Sequence, residues 1–465
     1  MKKLLCLLTA LSLLCLFACS PASTPKTEET LPPTTEVKNY PNMNGYEFVV
    51  MHSDQSFVFE SGAGLIADSR YQLYADAEEL FHCDIVCEFI DISMFDRAQP
   101  ILQAGDKFAD IIPTYSFEVG SFIKNNYAQD ISKITTLDLN APCWDSRYTD
   151  IARFGEGLYA IKGAMNPPFE YTYCLVFNKN LCETLGLESP YELVKRNEWT
   201  WDKFAEYCRR ATRDTNGDNM MTVDDCWGYG GARHDVDIAF WYSAGIPSYQ
   251  LDERGNWEIC INTPEAKTAA DRLAQILTFD RTIYDLSGGE QWTYALWDLF
   301  PNDQLLFICN YTSMVKQSYL QEMTSDYGLL PIPKYHANQE SFISSSDHFN
   351  SGIVIPIGNE QTEWTGALLQ YLCERSYNEI LPLMYEEYEM YMRDEESMEM
   401  LKLIHNTSAY EPVSSFFGVY NGEMTLATKQ LIINVSLGLT DFSSFYEAYG
   451  EMTSENLKTL DAIGH

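Results

Sequence analysis

YEFVVM at 46–51 begins the stretch that decides the fold. This β-rich run is followed by 65–82, where apolar residues repeat at helical spacing, by an apolar strand at 84–90, by a helix near 94–104 and by a strand at 109–113. The order is therefore β-α-β-α-β. Such alternation packs as a parallel sheet with helices on both faces, and ligands of such sheets bind beyond the carboxyl ends of the strands.

The second half of the chain has the same α/β character. A strand is predicted at 171–177, and Thr200 is predicted to cap a helix over 201–211, because its hydroxyl can accept a hydrogen bond from a free backbone N–H group. Thr263, followed by Pro264 and an acid, predicts the start of another helix. Further short strands are predicted at 305–310, 327–331 and 352–357.

The composition is that of a large, acidic, globular protein. The 465 residues allow two or three domains, and 67 Asp and Glu stand against 31 Lys and Arg, a formal net charge of −36. Because phosphate binding depends on Lys and Arg, we expect no nucleic-acid partner, and the acidic surface argues against docking on anionic lipid headgroups.

The N-terminal residues predict export and lipidation. Two lysines and an apolar run make up most of 1–18, and the run is short enough to favour a signal peptide over an N-terminal anchor helix. LFAC at 16–19 resembles a bacterial lipobox, in which Cys19 is lipidated and becomes the mature N-terminus. Residues 19–41 then form a disordered tether rich in Ser, Thr and Pro. The folded body is expected outside the cytoplasm, attached to the bacterial cell membrane only through this lipid.

The cysteines leave two explanations open. Ten of the 13 lie beyond the leader, scattered singly and without a CxxC pair. An exported protein can form disulfides, but this spacing does not require them, and buried free thiols explain it as well.

Four stretches in succession carry a resemblance to a known family. They are RAQPILQAGDKFADII at 97–112, LVFNKNLCETLGLESPYELVKRNEWTWDKFAEYCRRAT at 175–212, SAGIPSYQLDERGNWEICINTPEAKTAADRLAQIL at 243–277, and LLFICNYTSM with DYGLLPIPK at 305–314 and 326–334. In order and spacing they resemble the extracellular solute-binding proteins of ABC importers, in the branch that binds sugars and oligosaccharides. The resemblance is specific to the family and not to one ligand.

This resemblance implies an α/β, two-lobed periplasmic-binding-protein-like fold (type II), whose hinged lobes close on a ligand in a central cleft. The N-terminal lobe would comprise 42–168 with 350–395, and the C-terminal lobe 169–345 with 405–465. The chain would cross between the lobes near 166–173, 344–352 and 393–407.

The function implied is that of a non-catalytic lipoprotein, a monomer without a required cofactor, which captures an extracellular sugar or oligosaccharide and delivers it to a membrane permease. The sequence motifs of metalloproteases, serine hydrolases, P-loop proteins and dinucleotide-binding proteins are absent. Two alternatives stay open. The same fold could bind a peptide or a polyamine, or the chain could be a secreted carbohydrate-active enzyme, because a glycosidase needs only two carboxylates ~5–10 Å apart.

Candidate ligand contacts follow from the chemistry of sugars, whose sites pair aromatic platforms with carboxylates and amides. Asp54 and Gln55 follow the first strand, and Tyr115 and Phe117 follow the third. Position in the family adds a further set, which comprises Tyr171, Asp237, Trp241, Tyr311 and Phe417. For each residue taken alone, an ordinary core aromatic or a solvated surface acid is the competing explanation.

DTNGDNMMTVDD at 214–225 has the spacing of an EF-hand-like calcium loop. Oxygen-bearing side chains occupy loop positions 1, 3, 5, 9 and 12, namely Asp214, Asn216, Asp218, Thr222 and Asp225. The loop departs from that pattern at position 6, where Asn219 replaces glycine, and at position 12, where an aspartate has a shorter reach than a glutamate. A structural calcium site and an acidic surface turn both remain open.

Overall fold

The computed structural model describes residues 40–58, 60–91, 93–285, 295–347, 349–417, 426–460 and 463. The predicted signal peptide, Cys19 and the predicted tether up to residue 39 lie outside this part of the chain. Residues from Tyr40 onward form one compact unit. Over the described ranges, no helix combines the length and the apolar character that crossing a bilayer requires.

The first sheet region is built from the β-α-β-α-β stretch. Strand β1 (Tyr46–His52) pairs in parallel with β2 (Cys83–Phe89), and Val50 of β1 bridges in parallel to Ile111. Strand β3 (Ile112–Tyr115) follows and pairs antiparallel with a much later strand, Ser351–Val354. The predicted alternation is confirmed, although β3 begins three residues after its predicted start because the chain before Ile112 makes only that single bridge.

The second sheet has five strands, which comprise Ile283–Asp285, Trp227–Gly231, Leu305–Tyr311, Tyr173–Asn178 and Tyr327–Leu330 in spatial order. The first three run parallel to one another, and Tyr173–Asn178 is antiparallel to both of its neighbours. Every residue of Tyr173–Asn178 is buried, as expected for a strand covered on both faces.

The remaining strands are short, namely Arg153–Phe154, Gly157–Leu158, Tyr249–Leu251, Trp257–Ile259, Ser344–Ser345 and Ser408–Ala409. The α-helices are Leu65–Phe81, Met94–Gln103, Ser116–Lys124, Ser146–Ile151, Lys179–Thr184, Pro190–Lys195, Trp201–Ala211, Arg233–Ser243, Pro264–Ala274, Ser318–Gln321, Thr362–Arg375, Leu381–Tyr391, Glu395–Asn406, Pro412–Phe417, Leu426–Ser436 and Phe442–Leu457. Turns of 3₁₀ helix include Gln55–Phe57, Pro168–Tyr171 and Thr312–Lys316, and π-helical turns include Gln275–Phe279 and Ser376–Ile380.

Two helix starts that the sequence predicts are confirmed. The side chain of Thr200 accepts a hydrogen bond from the backbone N–H of Lys203 at 3.4 Å, and that of Thr263 accepts from Ala266 at 3.1 Å. Each threonine thereby satisfies a backbone donor that its own helix leaves free.

The three segments predicted to cross between the lobes lie side by side. Thr172 forms an antiparallel bridge to Ser346, and Ser344–Ser345 pairs in parallel with Ser408–Ala409. The exact residues at which each lobe begins and ends stay a prediction.

The ten cysteines beyond residue 19 are all free thiols, and eight of them are buried. The eight buried thiols therefore act as small apolar side chains in the core, one of the two explanations that the sequence leaves open.

Candidate functional site

Five aromatic rings form a continuous cluster beside the crossing segments. The aromatic cluster comprises Tyr115, Phe117, Phe349, Tyr171 and Tyr311. Tyr115 stacks on Phe117 with ring centroids 5.5 Å apart, and Phe349 lies edge-on to both at 5.6 and 6.0 Å. Phe349 also contacts Tyr171 at 6.3 Å, and Tyr171 contacts Tyr311 at 5.7 Å. All except Phe117 are partly exposed, so part of the cluster is accessible to solvent.

The cluster forms because separate segments end at the same place. Tyr115 is the last residue of β3, and Phe117 lies in the first turn of the helix that follows. Tyr171 ends a 3₁₀ turn at the first crossing segment, and Tyr311 ends the central strand of the second sheet. Phe349 lies within the second predicted crossing segment, 344–352. The cluster thus draws on both sheet regions.

Asp54 supplies a carboxylate near these rings. Its Oδ1 accepts from the backbone N–H of Ser56 at 2.7 Å, and its Oδ2 accepts from the hydroxyl of Ser351. Asp54 is partly exposed. Ser351 pairs with Tyr115 in the β3 ladder, so the carboxylate is held next to the cluster.

A buried lysine lies behind this carboxylate. Lys162 is 1% exposed and its Nζ donates to the carbonyl of Ser351 at 2.8 Å. The amide of Asn166 donates to the hydroxyl of the same serine at 3.0 Å. Burial lowers the pKa of Lys162 to about 8, and the charges of Asp54 and Asp145 oppose this shift. Ser351 is therefore held from two sides.

Burial is the main cause of the shifted pKa values of the site's ionisable groups. Burial raises the pKa of Tyr171 and of Tyr115, and the negative charge of Asp54 raises both further, so both phenols stay neutral at physiological pH. Burial lowers the pKa of His52, against the opposing influence of Asp54. The site therefore offers neutral hydroxyls and one carboxylate, which can donate and accept hydrogen bonds.

Asp237 and Trp241 do not join this cluster. Both lie on the helix Arg233–Ser243 and are fully buried. Asp237 accepts from Arg233 Nε at 2.9 Å and from the hydroxyl of Ser436, so its carboxylate is engaged inside the protein. The structure thus places these two predicted ligand contacts in the interior of the helical layer, away from the aromatic cluster.

Phe417 and Gln55 have other surroundings. Phe417 is 1% exposed and lies 5.9 Å from the ring of Phe154 and 6.3 Å from that of Phe416. Gln55 begins the turn Gln55–Phe57, directly after Asp54, and its side chain lies outside the described part of the chain.

The loop at 214–225 uses its acids to hold its own backbone. Asp214 accepts from the backbone N–H of Gly217 at 2.6 Å and of Asn219 at 2.8 Å, and Asn216 accepts from Asp218 at 2.9 Å. Asp225 is buried and accepts from Thr222 at 2.8 Å. Across the described residues, no group of three or more His, Cys, Asp or Glu side chains is placed to hold a metal ion.

Phe349 and Ser351 are the members of the site that sequence reasoning missed. The sequence SDHFNSG at 346–352 lies in a predicted crossing segment and contains an aromatic residue beside an acid, which is the signal that could have identified it. Among the predicted contacts, the structure brings together Tyr115, Phe117, Tyr171, Tyr311 and, next to them, Asp54.

Comparison with known proteins gives one family and a group of similar folds. The family model described as bacterial extracellular solute-binding protein matches residues 63–371. No protein with a curated description matches the chain.

Solved structures with similar folds include three binding proteins of low sequence identity. The ABC substrate-binding protein Lmo0181 of Listeria monocytogenes in complex with cycloalternan is 14% identical, with a TM-score of 0.57 over 89% of this chain and 99% of that one. UspC of M. tuberculosis is 13% identical, with a TM-score of 0.61 over 88% and 99%. The galacto-N-biose-/lacto-N-biose I-binding protein of Bifidobacterium longum is 12% identical, with a TM-score of 0.60 over 90% and 98%. These likenesses establish the two-lobed fold.

Proposed function

Because the chain belongs to the bacterial extracellular solute-binding protein family, we propose that it captures a sugar or oligosaccharide outside the cytoplasm and delivers it to the permease of an ABC importer. The similar structures include proteins solved with cycloalternan, lacto-N-biose and maltotetraose, which supports a saccharide as the ligand here. None of these three structures was solved with a peptide or a polyamine.

The observation that carries this proposal is the aromatic cluster with Asp54 at its edge. Sugar rings present apolar C–H faces, which pack on aromatic rings, and hydroxyls, which a carboxylate can accept from in fixed directions. Tyr115 and Tyr311 lie at opposite ends of the cluster and come from different sheet regions. A saccharide lying on the cluster would contact both regions at once, and such a ligand stabilises a closed arrangement.

The test is isothermal titration calorimetry of the purified mature chain against oligosaccharides, peptides and polyamines. We expect stoichiometric binding of at least one saccharide and no binding of the other two classes. Binding of a peptide or polyamine alone would contradict the saccharide proposal and leave the receptor role standing.

The proposed role is non-catalytic. The same incubations, followed by chromatography of the saccharide, should return it unchanged. Appearance of shorter products would favour a carbohydrate-active enzyme over a receptor.

We further propose lipid anchoring at Cys19, with the protein acting as a monomer. Replacing Cys19 with alanine removes the thiol that would carry the lipid, so the variant should appear in the culture medium while the wild-type protein stays with the membrane fraction. Retention of the variant on the membrane would contradict the lipid anchor.

The loop at 214–225 is proposed to bind calcium as structural support. This proposal rests on the spacing of the oxygen-bearing side chains alone, because the Asp214 carboxylate accepts backbone N–H groups of the loop itself. A ligand that binds the folded state raises its stability, so a chelator should lower the melting temperature of the wild type and leave that of an Asp214→Asn, Asp218→Asn variant unchanged. Equal curves with and without chelator would remove the calcium proposal.

A further inference from the structure

A cavity lined by charged side chains lies beside the aromatic cluster. This charged pocket has a volume of about 270 Å³ and its walls include Ser56, Gly64, Arg70, Glu170, Lys316 and Glu387. Ser56 donates its backbone N–H to Asp54, and Glu170 directly precedes Tyr171. Through these two residues the charged pocket adjoins Asp54 and the aromatic cluster.

The first turn of the helix Leu65–Phe81 forms one wall. The first N–H groups of a helix have no partner within it and carry a partial positive charge. Gly64 precedes this helix with φ at 125°, a conformation that favours glycine, and no side chain of the described residues caps the turn. Asp68 directs its carboxylate to the backbone N–H of Gly62 at 2.5 Å. The helix start faces the pocket without a side-chain acceptor.

The two cations of the pocket differ in their partners. Lys316 Nζ lies 2.5 Å from a carboxylate oxygen of Glu387 and 3.8 Å from one of Glu170. It therefore forms ion pairs with both glutamates. Arg70 has no such ion pair among the described residues, and its guanidinium contacts the sulfur of Met384 at 3.9 Å.

The electrostatics of Arg70 agree with this contact pattern. Burial lowers the pKa of its guanidinium, and the charges of Asp54, Glu170 and Glu387 offset that effect only in part. The guanidinium remains charged at physiological pH, because its ordinary pKa lies far above 7. It is a partly buried cation whose N–H donors lack a carboxylate in contact.

We propose that the charged pocket binds an anionic group, a carboxylate, sulfate or phosphate, and that the saccharide captured by this protein is therefore acidic. The inference rests on the proposed function, because it concerns one end of the same ligand. Arg70 would form paired charge-assisted hydrogen bonds to the anion, and the helix start would supply further N–H donors. The net charge of −36 on the whole chain does not exclude an anionic ligand, because charges that lie further than ~8–10 Å from the pocket are screened by salt.

The test compares acidic saccharides with neutral ones of the same length by titration calorimetry on the mature chain. The acidic arms are an oligogalacturonate, a sulfated galacto-oligosaccharide and a phosphorylated galacto-oligosaccharide, which distinguish the three anions. The matched neutral arm is the plain galacto-oligosaccharide, and a glucosamine oligomer tests a cationic ligand. We expect one acidic arm to bind at least about ten-fold tighter than the neutral arm.

Variants of Arg70 test whether this residue is responsible for the tighter binding of an acidic saccharide. Arg70→Gln should weaken binding of that acidic saccharide by about ten- to a hundred-fold and change binding of the neutral one by less than about two-fold. Arg70→Lys keeps the charge and should recover part of the loss. Lys133→Gln removes an exposed cation elsewhere and should change neither. If the Arg70 variants fail to fold, the wild type alone suffices, because raising the salt concentration about ten-fold should weaken only the acidic ligand.

The outcomes separate this inference from the proposed function. Tighter binding of the neutral or glucosamine oligomer, or an Arg70→Gln variant that binds the acidic saccharide like the wild type, would overturn the anionic subsite and leave the saccharide receptor intact. Failure of every saccharide to bind would overturn both.

Discussion

Asp54 and Asp237 are both predicted ligand contacts, and the structure gives them opposite surroundings. Each accepts a hydrogen bond from a serine hydroxyl, Ser351 in one case and Ser436 in the other. Asp237 is fully buried and its second partner is the guanidinium of Arg233. Asp54 is partly exposed, and its second partner is a backbone N–H group. An acid that already has a buried cation holds the fold together, whereas an acid held at the surface by neutral donors has acceptor capacity left for a ligand.

The largest effect is expected at Asp237. Replacing it with alanine removes the buried carboxylate that forms an ion pair with Arg233, a change that typically costs roughly 3–5 kcal/mol of unfolding free energy. Urea denaturation followed by tryptophan fluorescence measures it. Calorimetric affinity for the saccharide should stay within about two-fold of the wild type below the unfolding transition, since Asp237 lies outside the aromatic cluster. If the Asp237→Ala variant kept its full stability and lost affinity for the saccharide, Asp237 would be a ligand contact and not a structural acid.

Asp54→Ala should show the opposite pattern. Loss of a charged hydrogen-bond acceptor should lower the affinity for the saccharide by about ten- to a hundred-fold, because such bonds contribute ~1.5–3 kcal/mol. The unfolding free energy should fall by no more than about 1 kcal/mol, since a partly exposed carboxylate can be replaced by water. Titration calorimetry and urea denaturation of one preparation give both numbers. An unchanged affinity would remove Asp54 from the site.

The buried lysine behind Asp54 predicts a pH dependence of stability in the alkaline range, whereas the buried Asp237, whose pKa burial raises to about 6, titrates in the acid range. Burial lowers the pKa of Lys162 to about 8 from its ordinary value of 10.5, so between these values the unfolded chain binds more protons than the folded one. The free energy of unfolding should therefore rise with pH in this window, by at most about 1.4 kcal/mol per pH unit. Lys162→Met should lack this rise. Urea denaturation of both proteins from pH 7 to 10 measures the difference, and parallel curves would contradict it.

The smallest effects are expected from the two serines. Ser436→Ala should lower the unfolding free energy by about 1 kcal/mol with little change in affinity, and Ser351→Ala should lower affinity a few-fold with a smaller change in stability. Each variant removes a serine hydroxyl that donates a hydrogen bond to an aspartate, to Asp237 in the first case and to Asp54 in the second. Identical profiles for the pair would show that the difference between Asp54 and Asp237 has another cause.

Local signals account for what could be predicted. The caps at Thr200 and Thr263 and the β-α-β-α-β order depend on neighbours within a few residues, and each is confirmed. Phe349 could not be placed in the same way, because its contacts with Tyr115 and Tyr171 join segments far apart in the chain.

The misplacement of Asp237 has a physical lesson. Arg233 precedes it by four residues on the helix Arg233–Ser243, a spacing that puts both side chains on one face and favours an ion pair. That signal was present in the sequence and competed with the family position. An i, i+4 partner of opposite charge therefore argues against a free ligand-binding acid.

The hydrogen bonds among the segments predicted to cross between the lobes have a consequence for motion. Since Thr172 bridges to Ser346 and Ser344–Ser345 pairs with Ser408–Ala409, the connections form one hydrogen-bonded ribbon. Bending any one of these segments must therefore either bend the segments hydrogen-bonded to it or break those hydrogen bonds.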